Sequence, residues 1–253
     1  MKVGIIGYGH VGQAMAKLFP TANIYDKYQK LNYPSLINNF CDIAFICVPT
    51  PMLEDGSCDT REVEEVISWC ECKCIIIRST VPIGFTEQMS KKYEKELVFQ
   101  PEYYGETANH PFADLSKQNW LILGGHKKGI NMAIEAYQMV RDSDVNIYTC
   151  TSGEAEMAKY MENAFLATKV TFCNEMYDVC EAYGLDYNVV RELWTADPRI
   201  GKSHTFVYKD NRGYGGSCLP KDIQSLYVQG TEQKVDMTLT AAVINKNKKV
   251  RGK

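Results

Sequence analysis

A three-glycine turn near the amino terminus constrains the fold more than any other stretch. KVGIIG (2–7) is a short apolar run ending in Gly7, and HVGQAMAKLF (10–19) has helical spacing, with Val11, Met15 and Leu18 on one face. Between them Gly7-Tyr8-Gly9-His10-Val11-Gly12 fits G-x-G-x-x-G. The hexapeptide alone is a weak signal. A strand before it, a helix opening on it and a strand-like ANIYD (22–26) ending in Asp26 are the context in which it binds a dinucleotide. Gly7 turns the chain, Gly9 leaves room for a pyrophosphate, and Gly12 lets helix and sheet approach. The helix end adds N–H donors and about half a positive charge. Residues 7–12 and Asp26 are therefore cofactor candidates. The Asp26 carboxylate would accept ribose hydroxyls and repel a 2′-phosphate, favouring NAD over NADP, and Lys27 beside it softens that preference. The plainer alternative is a glycine turn that binds nothing.

The pattern continues as a series. DIAFICV (42–48), CIIIRST (74–80), ELVFQ (96–100), NWLILGG (119–125) and NIYTC (146–150) read as strands. DTREVEEVISWCE (59–71, with Asp59 as N-cap), GFTEQMSKKYEKE (84–96) and NMAIEAYQMV (131–140) read as helices between them. Apolar strands alternating with helices predict a parallel sheet covered on both faces. From Gly153 to Tyr183 the pattern becomes one long helix, followed by a helix at NVVRELW, a Gly/Asp/Asn-rich loop over 197–217, and helices near PKDIQSLYVQ and MTLTAAVINKNKK. The expected fold is α/β: a Rossmann-like domain over 1–150, then an all-helical central domain over 151–253.

Composition removes several classes of function. A net charge of -3, with 23% charged residues, gives no general pull toward nucleic acid or anionic lipid. The longest run without Asp, Glu, Lys or Arg is Val3–Ala16, short of the ~20 apolar residues of a membrane helix, and no leader pattern precedes it. Neither a nucleic-acid nor a membrane partner is expected. The 10 cysteines lack the spacing of a disulfide framework. Cys70-Glu-Cys72-Lys-Cys74 lacks the two-residue gaps of a zinc site and a complementary pair, so no metal is expected and a reduced, cytoplasmic setting fits.

Three segments carry candidate chemistry. In Gly213-Tyr214-Gly215-Gly216-Ser217-Cys218-Leu219-Pro220-Lys221-Asp222, a cysteine follows a glycine loop where a helix begins. A helix start or a nearby cation activates a thiol, so Cys218 is either a nucleophile or a packed loop residue. Lys159 and Asn163, four apart on the long helix, could steady an oxyanion, though spacing alone favours two solvated polar residues. Glu102 and Glu106 lie in a loop leaving a strand end, where open α/β sheets bind ligands. Arg78-Ser79-Thr80 and Cys47-Val48-Pro49-Thr50 leave neighbouring strands toward the same rim.

VGIIGYGHVG, FICVPTP, STVPIG, QPEYYGE, EMAKYMENAFLATKVTFCNE, DPRIG and GYGGSCLPKD occur in the order of the UDP-glucose/GDP-mannose dehydrogenase family, which the chain resembles from residue 2 to about 225. The last motif is highly specific. The resemblance implies two NAD-dependent oxidations of a nucleotide-sugar primary alcohol to a carboxylate, with UDP-glucose the first substrate to test and GDP-mannose or another nucleotide sugar the alternative. It implies that Cys218 attacks the aldehyde to give a thiohemiacetal and then a thioester, with Lys159 and Asn163 on the oxyanion. Asp222 would orient or deprotonate water. Glu102 and Thr80 would position it, and Glu106, near the nicotinamide ribose, would share base duty. Val48, Pro49, Thr50, Thr80 and Glu106 join the cofactor candidates. Glu102, Lys159, Asn163, Tyr214 and Gly215 would hold the sugar, with Arg199 reaching it from a neighbouring subunit.

Family members continue into a third domain that grips the uridine diphosphate. MTLTAAVINKNKKVRGK looks like the last helix of the middle domain, so a short form without that third domain is expected. His204, Tyr208 or Lys209 would then approach the nucleotide instead. The segment between Asp26 and Asp42 is also shorter than the family usually has. Met157, Phe165, Val170, Phe172 and Met176 give the long helix more apolar surface than a small helical domain covers, which predicts a homodimer. A two-electron β-hydroxyacid-type dehydrogenase would share the glycine turn and the Lys-x-x-x-Asn helix, but has no use for the Cys218 loop. A truncated NAD-binding core without full activity is favoured by no residue, since every chemical position is filled, but the absent third domain keeps that alternative open.

Overall fold

Four consecutive buried apolar residues make β1 (Val3–Ile6), and the same holds for β3 (Ile43–Ile46) and β4 (Cys74–Ile77). Strands with no polar face belong inside a sheet covered on both sides. The computed structural model describes residues 1–104, 114–141 and 144–252 and shows that sheet. With β2 (Asn23–Tyr25), β5 (Leu97–Phe99), β6 (Trp120–Gly125) and β7 (Asn146–Cys150), the strand order is β2-β1-β3-β4-β5-β6-β7. The two compact units are residues 1–51 with 58–159, and residues 52–57 with 160 onward.

Side chains alternate across the sheet with a period of two. Val3, Ile5, Phe45 and Ile76 pack on one face with Met15 of α1 (His10–Leu18) and Ala133 and Tyr137 of α5 (Lys127–Gln138). Ile6, Ile46, Ile75 and Ile77 pack on the other with Ile37 of α2 (Pro34–Phe40), Ile67 of α3 (Arg61–Trp69) and Met89 of α4 (Phe85–Tyr93). Each such side chain contributes roughly 1.5–3 kcal/mol by leaving water.

Three expectations change. The sheet is not wholly parallel: β6 runs antiparallel to β5, with Phe99 opposite Gly124, and β7 is parallel to β6. Parallel neighbours need a crossover connection, and among the described residues between β5 and β6 there is a 3₁₀ turn (Leu115–Lys117) and no such helix. Helix α2 was not foreseen; it spans 7 residues, opens on Pro34 and buries only Ile37, too short to show a period. The N-cap of α3 is Thr60 rather than Asp59, although the Asp59 carboxylate still accepts the Arg61 N–H at 3.1 Å.

The long helix α6 (Ser152–Ala182) contributes its first turns to the first unit and the remainder, from Tyr160, to the second. There it joins α7 (Tyr187–Trp194), α8 (Cys218–Glu232) and α9 (Thr238–Val250). Ala167, Tyr214, Ile223, Val243 and Ile244 form one core of this unit, and Cys173, Cys180 and Tyr187 another. Of the apolar residues expected to lie open on α6, Met157, Phe165 and Phe172 do, while Val170 and Met176 are half-buried against these cores. Among the described residues no helix is long and apolar enough to cross a membrane, and no group of three or more His, Cys, Asp or Glu could hold a metal ion.

Candidate functional site

Two of the three glycines in the turn make close contacts that only glycine permits. Gly7 has φ +91, and a Cβ there would lie 2.7 Å from the Cys47 carbonyl oxygen, which seats the end of β1 against β3. A Cβ on Gly12 would overlap the Gly7 carbonyl oxygen. Gly9 is different: a Cβ there meets nothing within 4 Å, so its bareness serves no protein contact and leaves open space at the N-cap of α1. No side chain caps that helix end. The N–H groups of such a helix end are donors suited to a phosphate. His10 is exposed and Val11 half-buried in the first turn.

Asp26 is 7% exposed and anchors the turn. Its carboxylate accepts the N–H of Tyr8 at 2.6 Å, of Tyr28 at 2.9 Å and of Gln29 at 2.7 Å. Gln29 Nε2 returns a bond to the Tyr8 carbonyl at 2.8 Å. A carboxylate has about four acceptor positions, so roughly one remains for a ribose hydroxyl. Lys27 is turned to Glu65 at 2.9 Å, and the Tyr28 hydroxyl to Glu62. A depression beside this turn is lined by Gly7, Tyr25, Asp26, Val48, Pro49 and Trp69. Thr50 is buried and Thr80 half-buried, and the Cys58 thiol joins their carbonyls, at 3.8 Å and 3.3 Å. These features fit a dinucleotide: a cradle that a Cβ would fill, uncapped helix donors, and an acid at the end of β2.

Farther along the same strand ends, Arg78 and Glu102 form a buried ion pair. The second Glu102 oxygen accepts the Tyr104 N–H, and the Lys159 ammonium donates to the Glu102 carbonyl while lying 5.0 Å from the Tyr103 ring centre. Burial works against the charge on Arg78. Glu102, with Tyr137 and Cys47 behind it, overcomes this and holds the guanidinium above its ordinary value. Burial pushes both the Tyr137 hydroxyl and the Cys47 thiol up to about 12. Glu106 lies outside the described residues.

One turn before Lys159, Glu156 is fully buried, and its carboxylate accepts the N–H of Gly84 at 2.5 Å and of Thr86 at 2.9 Å. It thereby caps the start of α4 from α6. Burial raises its carboxyl above the ordinary value despite these two donors. A raised carboxyl contributes stability that is full below the unfolded value, ~4.3, and is lost as pH rises through the folded value. From pH 4 to 7 the melting temperature of the wild type should therefore fall relative to that of Glu156→Gln. A constant difference across that range would contradict the assignment.

In the second unit, Cys218 is the first residue of α8 and is exposed, whereas the other nine cysteines are buried or half-buried. Asp222, 1% exposed and one turn on, accepts Asn163 Nδ2 at 2.5 Å and Lys221 Nζ at 2.5 Å. Lys159 and Asn163 are buried rather than solvated. Tyr214 is buried, its hydroxyl pushed up to about 12, and Gly215 is half-buried. Arg199 is exposed and paired with Asp197 at 2.5 Å, and Tyr208 and Lys209 are exposed. The sequence reading gave no role to Arg78, Cys58 or Glu156, whose partners Glu102, Thr80 and Gly84 lie far away in the chain. Lys221, expected there as a cation within one turn of Cys218, pairs with the adjacent Asp222.

The first unit is thus built as a dinucleotide-binding domain, and the second presents one accessible thiol at a helix start. Residues 27–141 match the NAD binding domain of the UDP-glucose/GDP-mannose dehydrogenase family, and residues 153–249 match its central domain. The chain belongs to this family of nucleotide-sugar dehydrogenases, and NAD is its cofactor. The UDP-glucose 6-dehydrogenase of Pseudomonas aeruginosa is 32% identical over 223 residues, which cover 81% of this chain and 48% of that protein. That of Streptococcus pneumoniae is 27% identical, covering 98% of this chain and 73% of the relative. The chain spans about half the length of most curated relatives it matches, those from Bacillus subtilis and Rickettsia prowazekii included. A solved UDP-glucose dehydrogenase from Pyrobaculum islandicum shares the fold, with a TM-score of 0.84 at 24% identity over 98% of this chain and 68% of that one.

Proposed function

We propose that the protein is an NAD-dependent nucleotide-sugar 6-dehydrogenase acting on UDP-glucose, with residues 1–150 serving the cofactor and residues 151–253 the covalent chemistry. The observation that carries this reading is the Cys218 thiol, exposed at the first position of α8 with the Asn163–Asp222–Lys221 cluster one turn behind it. NAD, held by the Gly7–Gly12 turn and Asp26, would supply the hydride acceptor for each oxidation. Lys159 and Asn163 hold the substrate oxygen as it gains negative charge. Among the described residues, one of the three Lys159 N–H donors goes to the Glu102 carbonyl. The Cys218 thiolate adds to the aldehyde carbon, which keeps the half-oxidised sugar attached while the cofactor exchanges. Loss of the second hydride leaves a thioester. Water oriented by Asp222, Glu102 and Thr80, and deprotonated by Glu106, then adds to that carbon. The C–S bond breaks, the thiol reforms, and the acid leaves. Arg78 and the Tyr104 N–H fix the Glu102 carboxylate, which suits a positioning role.

The test is stoichiometry. Purified protein supplied with a panel of UDP- and GDP-sugars should yield two NADH per sugar acid, with UDP-glucose preferred. An aldehyde product with one NADH would remove the thioester route, and a preference for GDP-mannose would reassign the substrate. For the cofactor, Asp26→Asn should raise the NAD dissociation constant about tenfold and narrow the margin over NADP, read by fluorescence titration. That magnitude is one charge-assisted hydrogen bond. A homodimer is part of the proposal, with Arg199 reaching the partner's sugar. Met161, Phe165 and Phe172 on α6 and Leu193 on α7 are apolar and exposed, Leu193 by 73%. Sedimentation should give twice the chain mass; a fully active monomer would dispose of both the dimer and the Arg199 role.

A further inference from the structure

Between Arg212 and Ser217 the chain enters α8 through Gly213, Gly215 and Gly216, a composition that by itself leaves the following residue loosely placed. The structure removes that freedom at one point. Asn247, buried on α9, accepts the Tyr214 N–H at 2.8 Å and donates to the Tyr214 carbonyl at 3.1 Å. A single amide thus closes on both backbone groups of one residue, as a neighbouring strand would. Gly213 has φ +75, and a Cβ there would overlap Asn247 Oδ1, so the glycine is required by the clamp. A second buried amide, Asn174 of α6, accepts the Gly213 N–H at 3.1 Å and Arg212 Nε at 2.7 Å. One turn beyond Asn247, Arg251 donates to the Arg212 carbonyl at 3.2 Å.

Packing alone does not call for an amide at 247. The neighbouring buried positions of α9, Val243 and Ile244, are apolar, and a buried amide costs stability unless it is fully bonded. From Tyr214 only Gly215, Gly216 and Ser217 separate the clamp from Cys218. Downstream, α8 is held at Asp222 by Asn163. The thiol therefore lies between two fixed points. We propose that Asn247 is a positioning residue that sets the placement, and hence the reactivity, of the Cys218 thiol. Its catalytic consequence rests on the reading of Cys218 as the nucleophile; its test does not.

The test follows alkylation of Cys218 by iodoacetamide in the full chain, by mass spectrometry from pH 6 to 10, with Cys218→Ser giving the background of the other thiols. Asn247→Ala should keep the helical circular dichroism and the NAD affinity of the wild type. Its alkylation rate at pH 8 should change at least fivefold, with a displaced pH midpoint. Asn247→Asp keeps the acceptor for the Tyr214 N–H and loses the donor, and should fall between the two. A folded Asn247→Ala protein with the wild-type rate and midpoint overturns the proposal. If that variant does not fold, Asn247→Asp decides in the same way: a displaced profile supports the proposal and a wild-type profile overturns it. Absence of sugar oxidation by the wild type, with the alkylation shift intact, would instead sink the functional reading alone.

Discussion

Cys218→Ala is expected to bind NAD as the wild type does and to lose sugar-acid formation by on the order of 10³-fold, about 4 kcal/mol of barrier. The first oxidation removes a hydride and a proton from an alcohol and needs no sulfur. The second does, because a free aldehyde offers no good route to an acid until a nucleophile has added to it. The variant should therefore release an aldehyde, trapped with hydroxylamine, at one NADH per sugar. Cys218→Ser keeps an oxygen nucleophile and should slow the second half rather than the first. The other nine cysteines are buried or half-buried. Cys47 and Cys74 are buried, and burial pushes both thiols up to about 12. Unchanged two-NADH stoichiometry in Cys218→Ala would eliminate covalent catalysis by this residue.

Features set by neighbours in the chain were readable in the sequence, and features set by neighbours in space were not. The glycines announce a tight turn because Gly7 needs its positive φ locally. Asp26 is recognisable as the acid closing β2, but not its bond from Tyr8, eighteen residues back, which leaves the carboxylate largely occupied. The direction of β6 could not be read, since an apolar strand has the same pattern in either sense. Arg78 and Glu102 stand on two separate strand ends, and their pairing exists only because β4 and β5 are adjacent. Lys159 and Asn163 look like a solvated helix face until the fold buries them. Asn247, in a Lys- and Asn-rich helix end, gives no local sign of the loop it holds.

The buried pair makes the largest stability prediction. Arg78→Met removes the guanidinium and strands the Glu102 carboxylate, whose side chain is 10% exposed and, among the described residues, keeps only the Tyr104 N–H on its other oxygen. Breaking one partner of a buried ion pair costs about 3–5 kcal/mol, because an uncompensated charge remains out of water. At roughly 2–4 °C per kcal/mol for a chain of this length, the melting temperature should fall by on the order of 10 °C. Removing the charge as well should restore much of the loss, so Arg78→Met with Glu102→Gln should melt above Arg78→Met alone. The two variants separate charge from packing: if the double variant melts no higher than the single one, the loss is one of side-chain fit. Since Lys159 donates to the Glu102 carbonyl, the single variant should also lose activity beyond its loss of folded protein, and the double variant should regain stability ahead of activity.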